Sequence, residues 1–220
     1  MVCSVPRSGS SLLCELLMST GLAGTPVEFF HPSRMAGLMR QWGVEALDEY
    51  VRRLIVERTG PNGVFGMKVH WGQYRPNFGE RDPRDAFPSL RFVSIRREDR
   101  LRQAISWVRA LQSEEWRVRG SGKAEAPAVF DPDEIGRKLG RIESDEAAWK
   151  ELFERYGITA REVTYEQLLG RREETLRDVV DHLGIELPNG FHFEPPKLER
   201  QADELSEEWV ERYRAEAAGA

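Results

Sequence analysis

The sequence has no long apolar run: its longest stretch free of formal charge, Leu16 to Val27, is 12 residues and is interrupted by glycines and Pro26. A membrane-spanning helix needs about 20 apolar residues, so none is expected. The opening Met-Val-Cys-Ser-Val-Pro-Arg has no charged leader followed by an apolar signal core, and the expected location is cytoplasmic. Cysteine is scarce. Cys3 and Cys14 supply neither a disulfide framework nor CxxC metal spacing, and both are expected to be small buried thiols. Lysine is scarce too, at 5 residues against 27 arginines, and the net charge is −5. No basic field covers the chain, so nucleic acid is not an expected partner and an anionic ligand must be held locally. Arginine's planar fork suits phosphate or sulfate oxygens, although codon bias explains the excess equally well. There is no Walker A string, which needs GxxxxGK[ST]. Gly120-Ser121-Gly122-Lys123 follows no strand and has Ala124 where the hydroxyl belongs, so it is read as linker. No arginine stands six positions after either cysteine, which excludes a CxxxxxR phosphatase loop.

What is present alternates between strand and helix signals. At 220 residues, with 40% hydrophobic and 31% mixed-sign charged residues, the chain is expected to form a single domain over 1–220 with a real core. A surface loop near 119–128, rich in Gly and Ala, is expected to be mobile. Strands are expected at Val2–Val5, Val64–Val69, Arg91–Ile95 and Arg161–Thr164. Helices are expected around Leu12–Leu17, from Glu45 to Thr59, from about Asp99 to Gln112, from Pro132 to Tyr156, from Tyr165 to His182, and from Ser206 onward. Glu28-Phe29-Phe30-His31 falls in a turn-rich segment through Pro32. No internal repeat is present. The alternation predicts a three-layer α/β domain around a mainly parallel sheet.

The strongest chemical signal is the turn Arg7-Ser8-Gly9-Ser10-Ser11 between the first strand and the first helix. A glycine closes the backbone, the amides of the first helical turn point outward, and two hydroxyls and a guanidinium add donors. This is a recipe for anion binding, although any capped helix start uses similar residues.

Several blocks of the chain resemble the bacterial trehalose 2-sulfotransferase family. They are Pro6-Arg7-Ser8-Gly9-Ser10-Ser11-Leu12-Leu13, Thr20–Gly24 with Pro26-Val27-Glu28-Phe29-Phe30, Pro61–Lys68, Arg97-Glu98-Asp99 with Gln103–Ser106, and Leu198–Asp203 with Glu208–Tyr213. The resemblance spans nearly the whole chain and implies a P-loop-like sulfotransferase fold. It also implies transfer of the sulfuryl group of 3′-phosphoadenosine 5′-phosphosulfate to a sugar hydroxyl, with trehalose the implied acceptor and another glycan open. It places the 5′-phosphosulfate on Arg7, Ser8, Gly9, Ser10 and Ser11. Sulfotransferases hold the 3′-phosphate with an Arg and a Ser, which suggests Arg97 and Ser106, with Arg96 and Arg102 as alternatives. Arg200 with Gln201 either closes over the nucleotide or forms a structural loop. The family is dimeric, which makes a homodimer an expectation here.

Sulfuryl transfer, like phosphoryl transfer, asks for positioning and charge stabilisation, and no metal is expected. Arg7 and the loop amides suit the charge on the transferring group. The acceptor hydroxyl must lose a proton, and the resemblance assigns that to Glu28. Lys68, at an apolar strand, is expected to be a site cation. His31 is expected to orient the acceptor or the base. Phe29, Phe30 and Trp71 either form a platform for sugar rings or pack in the core. Trp42, Trp107, Trp116, Trp149 and Trp209 are read as core or interface anchors, and Tyr165–Leu169 as packing. Gly72–Pro88 and Arg117–Phe130 depart from the family pattern, so the donor chemistry is better specified than the acceptor. A P-loop kinase and a non-catalytic nucleotide-binding module are the rival readings.

Overall fold

A computed structural model describes residues 1–87, 89–113, 128–195 and 204–219. Strand β1 (Val2–Ser4) lies at the centre of a sheet with β2 (Lys68–His70), β3 (Phe92–Arg96) and β4 (Ala160–Thr164). The order is β2-β1-β3-β4 and every pair is parallel, as the alternation of elements predicts. Crossovers between parallel strands require helices. They are α1 (Ser10–Ser19), α2 (Pro32–Trp42) and α3 (Leu47–Arg58) between β1 and β2, α4 (Trp71–Phe78) after β2, and α5 (Arg100–Gln112) and α6 (Pro132–Arg155) between β3 and β4. Then follow α7 (Tyr165–Gly170), α8 (Arg172–His182) and α9 (Glu204–Gly219).

The core is divided by the sheet. Val2, Val93, Ile95 and Val163 pack with Leu13, Leu16 and Leu17 of α1 and with Leu176, Val179 and Val180 of α8. Cys3, Val69 and Phe92 belong to a second, aromatic cluster with Phe30, Tyr50, Trp71, Tyr74 and Trp149. Each such side chain, removed from water, contributes about 1.5–3 kcal/mol of transfer free energy. Both cysteines are buried and neither forms a disulfide, and burial pushes the Cys3 thiol up to about 12. Among the described residues, no helix is long and apolar enough to cross a membrane.

The structure corrects several expected elements. The strand read as Val64–Val69 is ordered as β2 only from Lys68, with a single bridge between Met67 and Val27 before it. The chain at Gly66 passes so close to the preceding loop that a Cβ there would lie 2.4 Å from the Ala23 carbonyl oxygen. The segment read as turns around Pro32 forms α2, with Pro32 in its first turn, where a missing N–H costs nothing. Part of Gly72–Pro88 forms α4 despite Pro76 inside it. The helix expected from Tyr165 to His182 is two helices, joined at Arg171. The segment 119–128, apart from Ala128, lies outside the described residues, as do Trp116, Arg200 and Gln201.

Candidate active site

The first helix starts on a tight loop. Gly9 caps α1 with φ 87° and offers no side-chain cap, so the first amides of the helix keep their donors for another partner. Only glycine fits there: a Cβ would lie 2.5 Å from Cδ2 of Tyr165. Arg7, with φ 64°, also sits in the left-handed region, a conformation costing a non-glycine residue roughly 1–2 kcal/mol. Such strain persists where the surroundings fix it, and it is concentrated in functional loops.

Three arginines converge on this loop. Arg7 Nε donates to Ser106 Oγ on α5 at 3.0 Å. Burial, followed by repulsion from Arg97 and Arg109, brings the Arg7 guanidinium down to about 10. The Arg97 guanidinium lies 4.9 Å above the Tyr165 ring and is likewise shifted below its ordinary range by burial. Arg97 Nε and Ser8 Oγ are buried polar atoms without a hydrogen-bond partner. An orphaned buried polar atom is costly, and each is open to a ligand partner. The alternatives to Arg97 are placed differently. Arg96 is exposed, and Arg102 is paired with both Asp99 and Glu207, which hold its guanidinium above the ordinary range. Ser10 is buried, and Ser11 Oγ accepts from Lys68 Nζ at 3.0 Å.

That lysine joins the loop to a second group. Lys68 Nζ also lies 2.6 Å from Glu28 Oε1, with side-chain exposures of 3% and 24%, so the cation is enclosed while the carboxylate remains reachable. Glu28 Oε2 accepts from Gln73 Nε2 at 2.6 Å and faces His70 Nε2 at 3.6 Å. Burial alone would raise the Glu28 carboxyl, but the His70 imidazole and the Lys68 ammonium outweigh it and hold the group well below the usual carboxylate range. His70 Nδ1 is 2.9 Å from Ser4 Oγ. Pleating explains the cluster: Lys68 and His70 are two residues apart on β2 and share a face, and Ser4 is the register partner of His70.

The structure thus brings Arg7, Ser8, Gly9, Ser11, Lys68, Glu28, Arg97 and Ser106 to one end of the sheet. It separates the aromatic candidates from them. Phe30 is 1% exposed and packs edge-on to Tyr50, Phe78 and Phe87, and Trp71 packs against Tyr74 and Trp149. Phe29 is buried against Phe65. Of the two readings of these rings, core packing is the one observed. His31 is exposed at the start of α2, with Nδ1 3.0 Å from Ser33 Oγ, and its N–H donates to the Glu28 carbonyl. Tyr165, read as packing, is also the surface against which Arg97 lies. Sequence reading missed His70 and Gln73. The available signals were the alternation Lys68-Val69-His70 and a glutamine three residues after the histidine, the spacing of a capping box.

A family model described as Stf0 sulphotransferase matches residues 1–216 of the chain. The chain is 31% identical over an alignment of 255 positions to the trehalose 2-sulfotransferase of Mycobacterium tuberculosis, with 99% of this chain and 94% of that protein covered. It is 30% identical over an alignment of 259 positions to the trehalose 2-sulfotransferase of Mycolicibacterium smegmatis, with the same coverage.

Proposed function

The chain belongs to the Stf0 sulphotransferase family, and on that premise we propose that it transfers the sulfuryl group of 3′-phosphoadenosine 5′-phosphosulfate to a hydroxyl of trehalose or a closely related sugar, with Glu28 as general base. The acceptor reading rests on the two relatives, whose names specify trehalose. The observation that carries the mechanism is Lys68, which hydrogen-bonds both to Ser11 on the anion loop and to the Glu28 carboxylate. Donor side and base side therefore meet at one buried cation.

In this reading the amides at the start of α1, with Ser8, Ser10, Ser11 and Arg7, hold the 5′-phosphosulfate. Arg97 and Ser106 hold the 3′-phosphate, supported by the orphaned Nε of Arg97 and by the engagement of Arg102 elsewhere. The acceptor oxygen forms a bond to sulfur as the bond from sulfur to the bridging oxygen breaks. The hydroxyl proton passes to Glu28, and the nucleotide leaves as the 3′,5′-bisphosphate. Arg7 and Lys68 face the charge that develops on the transferring group, where preorganised donors contribute most. Glu28 is ionised throughout the working pH range but weakly basic while it is paired with Lys68. Recruitment of Lys68 by the anionic sulfuryl group loosens that pairing and restores basicity as the donor binds.

The donor site is tested by thermal stabilisation with 3′-phosphoadenosine 5′-phosphate, since a ligand bound only by the native state stabilises it. The expected result is a metal-independent rise in melting temperature, retained in Arg96→Ala. In Arg97→Ala, loss of charged hydrogen bonds worth about 1.5–3 kcal/mol weakens binding roughly 10- to 150-fold. A response to ATP with magnesium alone would overturn the donor assignment in favour of a kinase-like reading.

A further inference from the structure

We propose that Gln73 is a positioning residue for Glu28: its carboxamide, locked by the backbone of His70, holds the Glu28 carboxylate in the orientation from which it takes the acceptor's proton. The proposal rests on the reading of Glu28 as base.

The direction of the amide follows from its partners. Gln73 Oε1 lies 3.2 Å from the backbone N of His70, and that N–H can only donate. The oxygen therefore faces the backbone and Nε2 faces Glu28, 2.6 Å from Oε2. Gln73 is 9% exposed and sits in the first turn of α4, where its backbone carbonyl also accepts from Asn77 Nδ2 at 2.7 Å. A single side chain thus caps α4 and anchors the carboxylate.

The other contacts of Glu28 are of a different kind. Lys68 is shared with Ser11 on the anion loop, so it is the contact that donor binding redirects. His70 stands at 3.6 Å, beyond hydrogen-bond distance, and is turned by Ser4. Gln73 is the remaining short contact, and none of its hydrogen bonds involves the anion loop. It is also neutral. A second cation in its place would depress the basicity of Glu28 further, whereas an amide orients without adding charge. The titratable groups that act on Glu28 are Lys68 and His70, both on β2. Asp145 of α6, paired with Arg141, faces His70 from behind.

The test uses Gln73→Met, Gln73→Glu, Glu28→Gln and the double variant Glu28→Gln/Gln73→Met, assayed with 3′-phosphoadenosine 5′-phosphosulfate and trehalose. Gln73→Met is expected to lower kcat about tenfold or more, within the range that misplacing a general base produces, with affinity for 3′-phosphoadenosine 5′-phosphate within about twofold of the parent. In the Glu28→Gln background the same substitution is expected to have little further effect, because groups acting as a unit are non-additive. Gln73→Glu keeps the acceptor for the His70 N–H, and hence the cap of α4, while it sets a second carboxylate against Glu28. Its acid limb in kcat/KM is expected to move to higher pH, and its melting temperature to fall further below the parent's as pH rises from about 5 to 8, where both carboxyls ionise.

An equal loss from Gln73→Met with and without Glu28 would assign Gln73 a structural role only. An unmoved acid limb together with an unmoved melting difference in Gln73→Glu would also overturn the proposal. Wild-type turnover in Glu28→Gln would instead refute Glu28 as base, while the melting comparison still reports the contact between the two side chains.

Discussion

Lys68 is the residue on which the site turns, because a lysine this enclosed is tolerated only where its charge is paired. Glu28 supplies the pair, and that sets a pH dependence of stability. The folded-state carboxyl of Glu28 is held below its ordinary value, so its stabilising contribution is fully present above the unfolded-state value of about 4.3 and is lost as pH falls beneath that. Glu28→Gln is therefore expected to melt below the parent from neutrality down to about pH 5, with the gap closing as pH falls further. Its turnover is expected to drop about 10²- to 10⁴-fold while binding of 3′-phosphoadenosine 5′-phosphate stays near normal. Thermal melts across pH and steady-state kinetics check both. The sequence made Glu28 and Lys68 visible as chemistry-bearing residues, the first through its resemblance and the second as a rare lysine beside an apolar run. It did not join them, because their contact forms only when Val27 bridges Met67 and brings the loop alongside β2. Phe30 and Trp71 were misleading for a related reason: an aromatic side chain reads the same whether its face meets a sugar or another ring.

At the scale of the element, the loop from β1 into α1 was fully legible, since strand, glycine turn and apolar helix follow one another within Val2–Leu17. Its dependence on a distant helix was not. Tyr165 at the start of α7 occupies the space into which a Gly9 side chain would project, and the same ring carries Arg97. Gly9→Ala is therefore expected to be costly twice over. It forces alanine to φ near 87°, about 1–2 kcal/mol by itself, and displaces the ring that supports Arg97. A lower melting temperature together with loss of stabilisation by 3′-phosphoadenosine 5′-phosphate is expected, whereas Gly21→Ala, where a Cβ meets nothing within 4 Å, is expected to leave that stabilisation intact. Helix α2 escaped sequence reading because Pro32 reads as part of a turn-rich segment, and α4, which holds Pro76, was assigned no element. Pro32 stands in an initial turn and Pro76 in a short helix whose cap is supplied by Gln73 and His70.

At the scale of the whole molecule, parallel pairing explains why these residues meet at all. The loop after β1, His70 ending β2, Arg97 following β3 and Tyr165 following β4 all lie at the carboxyl ends of adjacent strands, where open α/β sheets gather their ligands. A chain of net charge −5 thereby concentrates Arg7, Arg97, Arg109 and Lys68 at one end of the sheet, which is why net charge alone gave no sign of this cluster. The most direct test of the account is to incubate the protein with 3′-phosphoadenosine 5′-phosphosulfate and trehalose, without added metal, and to follow sulfated trehalose by mass spectrometry in the parent and in Glu28→Gln. The account predicts one sulfuryl group added per nucleotide consumed by the parent and almost none by the variant. Equal product from both, or a parent that binds the nucleotide yet sulfates no sugar, would contradict it.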